Sequence, residues 1–227
     1  MNRFTDVKVC VFDAYGTLFD VHSPVGRTAA VLGDKAPAVS RTWREKQLQY
    51  TWLRSLMRIH ADFWQVTGEA LDFALELHGI DDAVVRDQLM QAYLTLDAYG
   101  DVAPALTKLN AAGLKTAILS NGSPKMLAAA VASAGMDGDL DAVLSVEDVG
   151  IYKPDPRVYR MAVDRFAVAP REVCFVSTNG WDAAGAAHFG FQVVWMNRFG
   201  QISERLPGEP RAVIEALDAL PPLLDLG

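Results

Sequence analysis

Five short apolar runs, at residues 7–12, 114–119, 142–144, 173–176 and 193–196, alternate with helical patterns over 102–112, 124–134, 156–166 and 181–189. Strands separated by helices cannot be joined as hairpins. They form a parallel sheet whose crossover helices cover it. Gly113, Gly135 and Gly190 each follow a helical pattern as stop signals. The fold class expected is α/β, a Rossmann-like parallel sheet with helices on both faces. The carboxyl end of the chain is expected to close with a helix around 211–220 and an apolar tail. No internal repeat or low-complexity tract interrupts the pattern.

One gap breaks the rhythm. Between Asp13 and Leu114 lie about a hundred residues with no comparable strand. Over 37–60, Val39, Trp43, Gln47, Tyr50 and Leu53 recur at helical spacing, and 70–77 and 84–96 read as further helices. Residues 19–97 are therefore expected to form a helical cap domain inserted into a core domain made of 1–18 and 98–227.

At 227 residues the chain can bury one core with a smaller inserted domain. Its net charge of −7 and lack of a basic stretch exclude nucleic acid as a partner, and mean that an anionic substrate must be drawn by local positive groups. The amino-terminal stretch lacks the apolar region of a secretory leader, and no run approaches the length of a membrane span. Cys10 and Cys174 both lie inside apolar runs, which fits reduced, buried thiols in a cytoplasmic protein. With four histidines and no close His or Cys pairing, no zinc site and no cofactor are expected.

The segment VCVFDAYGTLFD, residues 9–20, ends an apolar run at Asp13. A buried strand that stops at a carboxylate delivers it to the sheet edge where open α/β folds bind ligands. Thr17 is placed to hydrogen-bond back to that loop. Taken alone, Asp13 reads equally as a helix cap. Three further patches follow later strands: Ser120 and Asn121 in ILSNGSP, Lys153 in VGIYKPDPRVY, and Ser177, Asn179 and Asp182 in FVSTNGWD. Singly each reads as a turn or a cap. In a parallel sheet all four converge on one edge.

These patches resemble the motifs of the haloacid dehalogenase superfamily, and DAYGTLFDVHS, SRTWREKQLQYTWLRSLM, ILSNGSP, YKPDPRVY and FVSTNGWDAAGA together resemble its L-2-haloacid dehalogenases over nearly the whole chain. The resemblance implies Asp13 as nucleophile, attacking the α carbon of a short 2-haloacid to give an ester. Lys153 would keep it ionised, and Tyr159 would support Lys153. Ser120 and the backbone N–H groups of Ala14 and Tyr15 would bind the substrate carboxylate. Arg44 from the cap, with Asn121, would receive the halide. Asp182, with Ser177 and Asn179, would orient or activate the hydrolytic water. Tyr15, Leu48, Phe63 and Trp181 would wall the pocket. Arg41, Arg54 and Arg58 are read as surface charges, and His22, His60, His78 and His188 as structural or surface groups.

In the superfamily's phosphatases a second Asp stands two positions after the first and protonates the leaving oxygen. Here that position is Tyr15. A halide leaves as a weak base and needs no proton, so the substitution suits carbon–halogen cleavage and removes the acid that ester hydrolysis needs. The alternatives are a magnesium phosphatase, which the single Asp182 near the last motif also disfavours, and a non-catalytic binding protein on this fold. No metal is expected. Trp52, Leu53 and Leu56 lie beyond the presumed pocket face of the cap helix, and the resemblance implies a homodimer built partly from cap helices.

Overall fold

The computed structural model describes residues 4–226. The outermost residues of the expected core domain, 1–3 at the start of the segment read for a leader and 227 at its other end, lie outside the described residues. All five apolar runs form strands: β1 (Val9–Phe12), β2 (Lys115–Ser120), β3 (Ala142–Ser145), β4 (Val173–Ser177) and β5 (Gln192–Met196). A sixth, β6 (Ala212–Ile214), pairs in parallel with β5.

This last strand corrects the helix expected over 211–220. The Arg211 N–H donates to Val193 O at 2.8 Å and the Asn197 N–H to Ile214 O at 2.7 Å, so the open edge of β5 takes the segment. Tertiary pairing outweighs local helical preference there. Only a helical turn, Leu217–Ala219, and the short helix α10 (Leu220–Leu223) follow.

The sheet is parallel throughout, in the order β3-β2-β1-β4-β5-β6. The chain runs outward from β1 to β3, then returns to the far side of β1 at β4. The carboxyl ends of β1 and β4 therefore flank the point where strand order reverses, the place where such sheets open a crevice. Every residue of β1, β4 and β5 is buried, so both faces of the sheet centre are covered. The covering crossovers are α6 (Val102–Ala111), α7 (Pro124–Ser133), α8 (Pro156–Phe166) and α9 (Gly180–Phe189). Gly113, Gly135 and Gly190 end α6, α7 and α9 with φ of +80°, +66° and +111°, a backbone conformation that other residues adopt at a cost. Cys10 and Cys174 are free thiols in register on β1 and β4. The Cys174 thiol is pushed up by its hydrogen bond to Cys10 and by burial.

Between β1 and β2 the chain is helical: α1 (Ser23–Arg27), α2 (Ala29–Leu32), α3 (Ala36–Met57), α4 (Phe63–Leu77) and α5 (Ala83–Ala92). In α3 the residues Val39, Trp43, Gln47 and Thr51 are buried at four-residue spacing, one stripe along one face. The Trp43 indole donates to Thr67 O at 2.9 Å, seating α3 on α4. The helix expected over 70–77 starts earlier, at Phe63, because Asp62 caps it by accepting from the Gln65 N–H. The helix expected over 84–96 stops at Ala92. The chain leaves and re-enters the sheet region through paired backbone: Asp20 N–H donates to Asp97 O at 2.8 Å and Tyr99 N–H to Leu18 O at 3.0 Å. Among the described residues no helix is long and apolar enough to cross a membrane.

Candidate active site

The β1–β4 ladder runs one residue past the strand, with the Asp13 N–H donating to Val176 O at 2.9 Å. That bond fixes the Asp13 backbone at the switch point, with its side chain almost entirely buried. The loop after it is a tight turn in which the N–H groups of Thr17, Leu18 and Phe19 all converge on Ala14 O. No helix starts at Asp13, so it is not a cap. Thr17 does not bond back to its own loop as expected. Its hydroxyl accepts from the Thr178 N–H at 2.9 Å, which ties the β1 loop to the β4 loop.

Lys153 sits between two carboxylates, with Nζ 3.1 Å from Asp13 Oδ1 and 2.8 Å from Asp182 Oδ2. Burial alone would lower its pKa, but Asp13 and Asp182 outweigh it and hold the ammonium above its ordinary value. Burial raises the proton affinity of Asp182, against the opposing pull of Lys153. Tyr159 donates to Asp182 Oδ1 at 2.7 Å, so it supports Lys153 through Asp182 rather than directly. Helix α9 approaches this cluster closely because residue 185 is glycine: a Cβ there would lie 2.7 Å from both the Tyr159 hydroxyl and Pro154.

Asn179 stands between Asp13 and the helical insertion. Its Nδ2 donates to Asp13 Oδ2 at 2.7 Å, and its Oδ1 accepts from Arg44 at 3.4 Å. It occupies the cap position of α9, yet its side chain makes no capping bond. The expectation that grouped Asn179 with Ser177 and Asp182 misses this placement against the nucleophile. Ser177 and Ser120 each accept from an N–H two residues on, Asn179 at 3.2 Å and Gly122 at 3.1 Å, as turn-forming serines do. Asn121 Oδ1 accepts from the Lys153 N–H at 3.1 Å and so braces the lysine loop.

Arg44 projects from α3 over the Asp13 loop. Its second guanidinium nitrogen lies 3.4 Å from Tyr15 O as well as from Asn179, and the first donates to Gln47 Oε1 at 2.7 Å. Leu48, four residues further along the same helix face, is half-buried. Tyr15 is boxed by Phe63 and Tyr93, with ring centroids 5.7 and 5.6 Å away. Burial pushes its phenol far up, with Tyr93 and Asp13 adding to the effect, and its hydroxyl finds no hydrogen-bond partner among the described residues. A Cβ on Gly122 would come within 2.6 Å of that ring, so glycine is required for the fit.

Trp181 packs edge-on against Trp52, centroids 5.3 Å apart. Trp52 therefore turns toward the sheet domain, which corrects its expected place on the outer face. Leu53, Leu56, Met57 and Ile59 are the exposed apolar residues there. Arg54 pairs with Glu69, a partner that its reading as a plain surface charge omitted, while Arg41 and Arg58 are exposed. His22, His60 and His78 are paired with Ser40, Glu147 and Thr42.

Sequence reasoning missed Gln47 and Tyr93. The available signal was Gln47 itself, a long polar amide at a stripe position of a helix, three positions after Arg44. Among the described residues no three or more His, Cys, Asp or Glu gather as a metal-holding group.

A family model for haloacid dehalogenase-like hydrolases matches residues 7–190. The (S)-2-haloacid dehalogenase 4A of Burkholderia cepacia is 50% identical over 219 residues, covering 96% of this chain and 95% of its own. Of the solved structures, a dehalogenase that is 50% identical superimposes with a TM-score of 0.95, covering 97% of this chain and 98% of its own. The L-2-haloacid dehalogenase of Xanthobacter autotrophicus with chloropropionic acid covalently bound, 40% identical, has a TM-score of 0.90 and covers 96% of this chain and 98% of its own. With Asp13, Lys153, Asn179 and Asp182 gathered at one sheet edge, and with relatives this similar over nearly full length, the chain belongs to the haloacid dehalogenase-like hydrolases, among the (S)-2-haloacid dehalogenases.

Proposed function

We propose that this protein hydrolyses short L-2-haloalkanoic acids to D-2-hydroxy acids and halide, through an ester on Asp13 and without a metal. The observation that carries the reading is the setting of Asp13. Its carboxylate is held by Lys153 on one oxygen and Asn179 on the other, and Asn179 links it to a cation from the insertion, Arg44.

In this reading residues 19–97 are a cap domain that supplies the halide side of the site, and 1–18 with 98–227 the core that supplies the nucleophile. An Asp13 oxygen attacks the α carbon from behind. The carbon–halogen bond breaks, and the halide leaves with its electron pair toward Arg44, assisted by Asn121. Arginine suits that place because it stays charged and is weakly hydrated. The substrate carboxylate meets the Ser120 hydroxyl and the N–H groups of Ala14 and Tyr15. Tyr15, Leu48, Phe63 and Trp181 keep bulk water out. Water then attacks the ester carbonyl. Asp182, made more basic by burial and grouped with Ser177 and Asn179 after β4, takes up the water's proton. The bond between the Asp13 carbonyl carbon and the product oxygen then breaks. That proton passes to the departing alkoxide to give the 2-hydroxy acid, and the Asp13 carboxylate is regenerated beside Lys153. Thr17 and Tyr159 hold the two loops that carry these groups.

The exposed edge of Leu53, Leu56, Met57 and Ile59 on and after α3 supports a homodimer formed partly by cap helices. The free thiols support a cytoplasmic location.

One turnover in labelled water with enzyme in excess tests the mechanism. The label should enter the Asp13 carboxylate and be absent from the product, whose hydroxyl oxygen comes from Asp13. Label in the first-turnover product would mean that water attacks the α carbon itself and would end the nucleophile assignment.

A further inference from the structure

We infer that Gln47 is a positioning residue: its side-chain carbonyl, locked by Thr67 and Tyr93, sets the direction in which Arg44 presents its guanidinium to the departing halide. The inference rests on the reading of Arg44 as the halide's partner. Gln47 is 1% exposed, a polar side chain at a stripe position where an apolar one would pack without needing partners. It has a complete set of partners instead. Its Oε1 accepts from Arg44 at 2.7 Å and faces the Tyr93 hydroxyl at 3.2 Å. Its Nε2 donates to Thr67 Oγ1 at 2.8 Å and lies 3.1 Å from the Tyr93 hydroxyl.

The orientation of the amide follows from its neighbours. A guanidinium is only a donor, so the amide oxygen must face Arg44. Thr67 donates its own hydrogen to Phe63 O at 2.6 Å, so its lone pair is what Nε2 meets. Tyr93 in turn is fixed by its ring, packed at a tilt between Trp43 at 5.3 Å and Tyr15 at 5.6 Å. The amide is therefore held by α4 and by the chain just after α5, and it holds Arg44 in α3.

The contrast in distances shows which contact directs the arginine. Arg44 is 2.7 Å from Gln47 but 3.4 Å from both Tyr15 O and Asn179 Oδ1. One nitrogen is firmly anchored within the insertion, while the other hangs loosely over the Asp13 loop. A neutral acceptor achieves this without neutralising the charge that the halide needs. A carboxylate at 47 would hold the arginine as firmly and quench it.

Halide departure is the first irreversible step, so kcat/KM for 2-bromopropionate against 2-chloropropionate reports how much help the leaving group receives. Chloride, the poorer leaving group, needs more. Gln47→Met keeps the volume and removes the acceptor. It should lower kcat/KM for the chloro substrate by roughly 10²-fold, the order expected of a misplaced catalytic group. The bromo/chloro ratio should rise by about 5-fold or more, a change of about 1 kcal/mol in relative barrier. Arg44→Lys should raise the ratio in the same direction, and the double variant should be no worse than Arg44→Lys alone. Tyr93→Phe, which removes one hydroxyl and keeps the ring, should show the same ratio shift in milder form even where Gln47→Met folds poorly.

Equal losses on both substrates, or losses that multiply in the double variant, would overturn the inference. If Arg44→Lys abolishes turnover while Gln47→Met and Tyr93→Phe keep the wild-type ratio, the Gln47 inference falls and Arg44 stands. If Arg44→Lys works normally, the Arg44 reading itself falls and takes this inference with it.

Discussion

Replacing Lys153 with methionine keeps the aliphatic stem and removes the one ammonium that separates Asp13 from Asp182. Asp182 is fully buried, Asp13 nearly so, and each is within 3.1 Å of Nζ. Two buried carboxylates cannot both stay ionised without that charge, so the variant should bind a proton on folding. Taking a carboxyl of ordinary pKa ~3.9 to its protonated form at pH 7 costs about 1.36 × 3.1, or about 4 kcal/mol. The usual cost of removing one partner of a buried ion pair, about 3–5 kcal/mol, agrees.

The variant should therefore lose about 4 kcal/mol at pH 7 but only about 1.5 kcal/mol at pH 5, since 1.36 × 1.1 is all that remains. The sign follows from the direction of the shifts. In the variant a carboxyl has a raised folded pKa, so stability is present below the unfolded pKa and is lost as pH rises. In the wild type Lys153 and Asp182 are both raised. The Lys153 contribution is intact everywhere below its unfolded pKa of 10.5 and is lost only as pH climbs through the higher folded value. That of Asp182, kept smaller by the attraction of Lys153, is present below 3.8 and is lost as pH rises through its folded value. Urea unfolding of both proteins at pH 5, 6 and 7 measures the difference, and halide release should fall at least about 10³-fold because a shared proton removes the nucleophile. A stability loss below about 1 kcal/mol that does not change with pH would refute the charge-balancing role of Lys153.

Titration of the denatured, unreduced protein should find two thiols, since Cys10 and Cys174 face each other across a parallel ladder that rarely suits a disulfide. Finding none would overturn the reduced assignment. Gly122→Ala should cost about 1–3 kcal/mol in thermal or urea unfolding and lower turnover, because the new Cβ displaces the Tyr15 ring. Asp101 holds Arg198 through two bonds of 2.8 and 2.9 Å, and Arg198 in turn donates to Thr17 O in the nucleophile loop. Burial raises the Asp101 pKa but Arg198 and the Leu217 N–H more than offset it, so Asp101→Asn should cost about 3 kcal/mol at pH 7, a penalty that shrinks as pH falls below ~4. Dialysis against chelator should leave halide release unchanged.

The sheet was legible because its strands are buried on both faces and read as unbroken apolar runs between helices. β6 was not: its three residues, Ala212, Val213 and Ile214, carry too little pattern, and what makes them a strand is the open edge of β5 far away in sequence. The grouping of Asp13, Lys153, Asn179 and Asp182 was legible because each lies in the segment that follows a parallel strand, Lys153 in the loop between β3 and α8, so topology brings all four to one sheet edge. The pairings within the set were not. Whether Asn179 faces the hydrolytic water or Asp13, and whether Tyr159 meets Lys153 or Asp182, depends on side-chain directions that no spacing encodes. The helical insertion was harder still, because Trp52 and Leu53 are neighbours in one helix and differ only in which way the helix is turned.

That turn of α3 decides what the site can do. The phenol two residues after the nucleophile is wrapped by Phe63 and Tyr93, and burial pushes its pKa far above that of any useful proton donor near neutrality. The same wrapping residues belong to the network that aims Arg44. Tyr93 packs against Tyr15 and also hydrogen-bonds Gln47, so the apolar wall and the cationic cradle are one packed unit. Restoring an acid by Tyr15→Asp would leave its carboxylate in an aromatic box and open a void beside Gly122 and Tyr93. Such a change should cost several kcal/mol and should not confer phosphate-ester hydrolysis, because the residues around position 15 are built for a group that gives no proton. Phosphatase activity in that variant would show that the identity of residue 15 alone, and not its packing against Phe63 and Tyr93, separates the two chemistries.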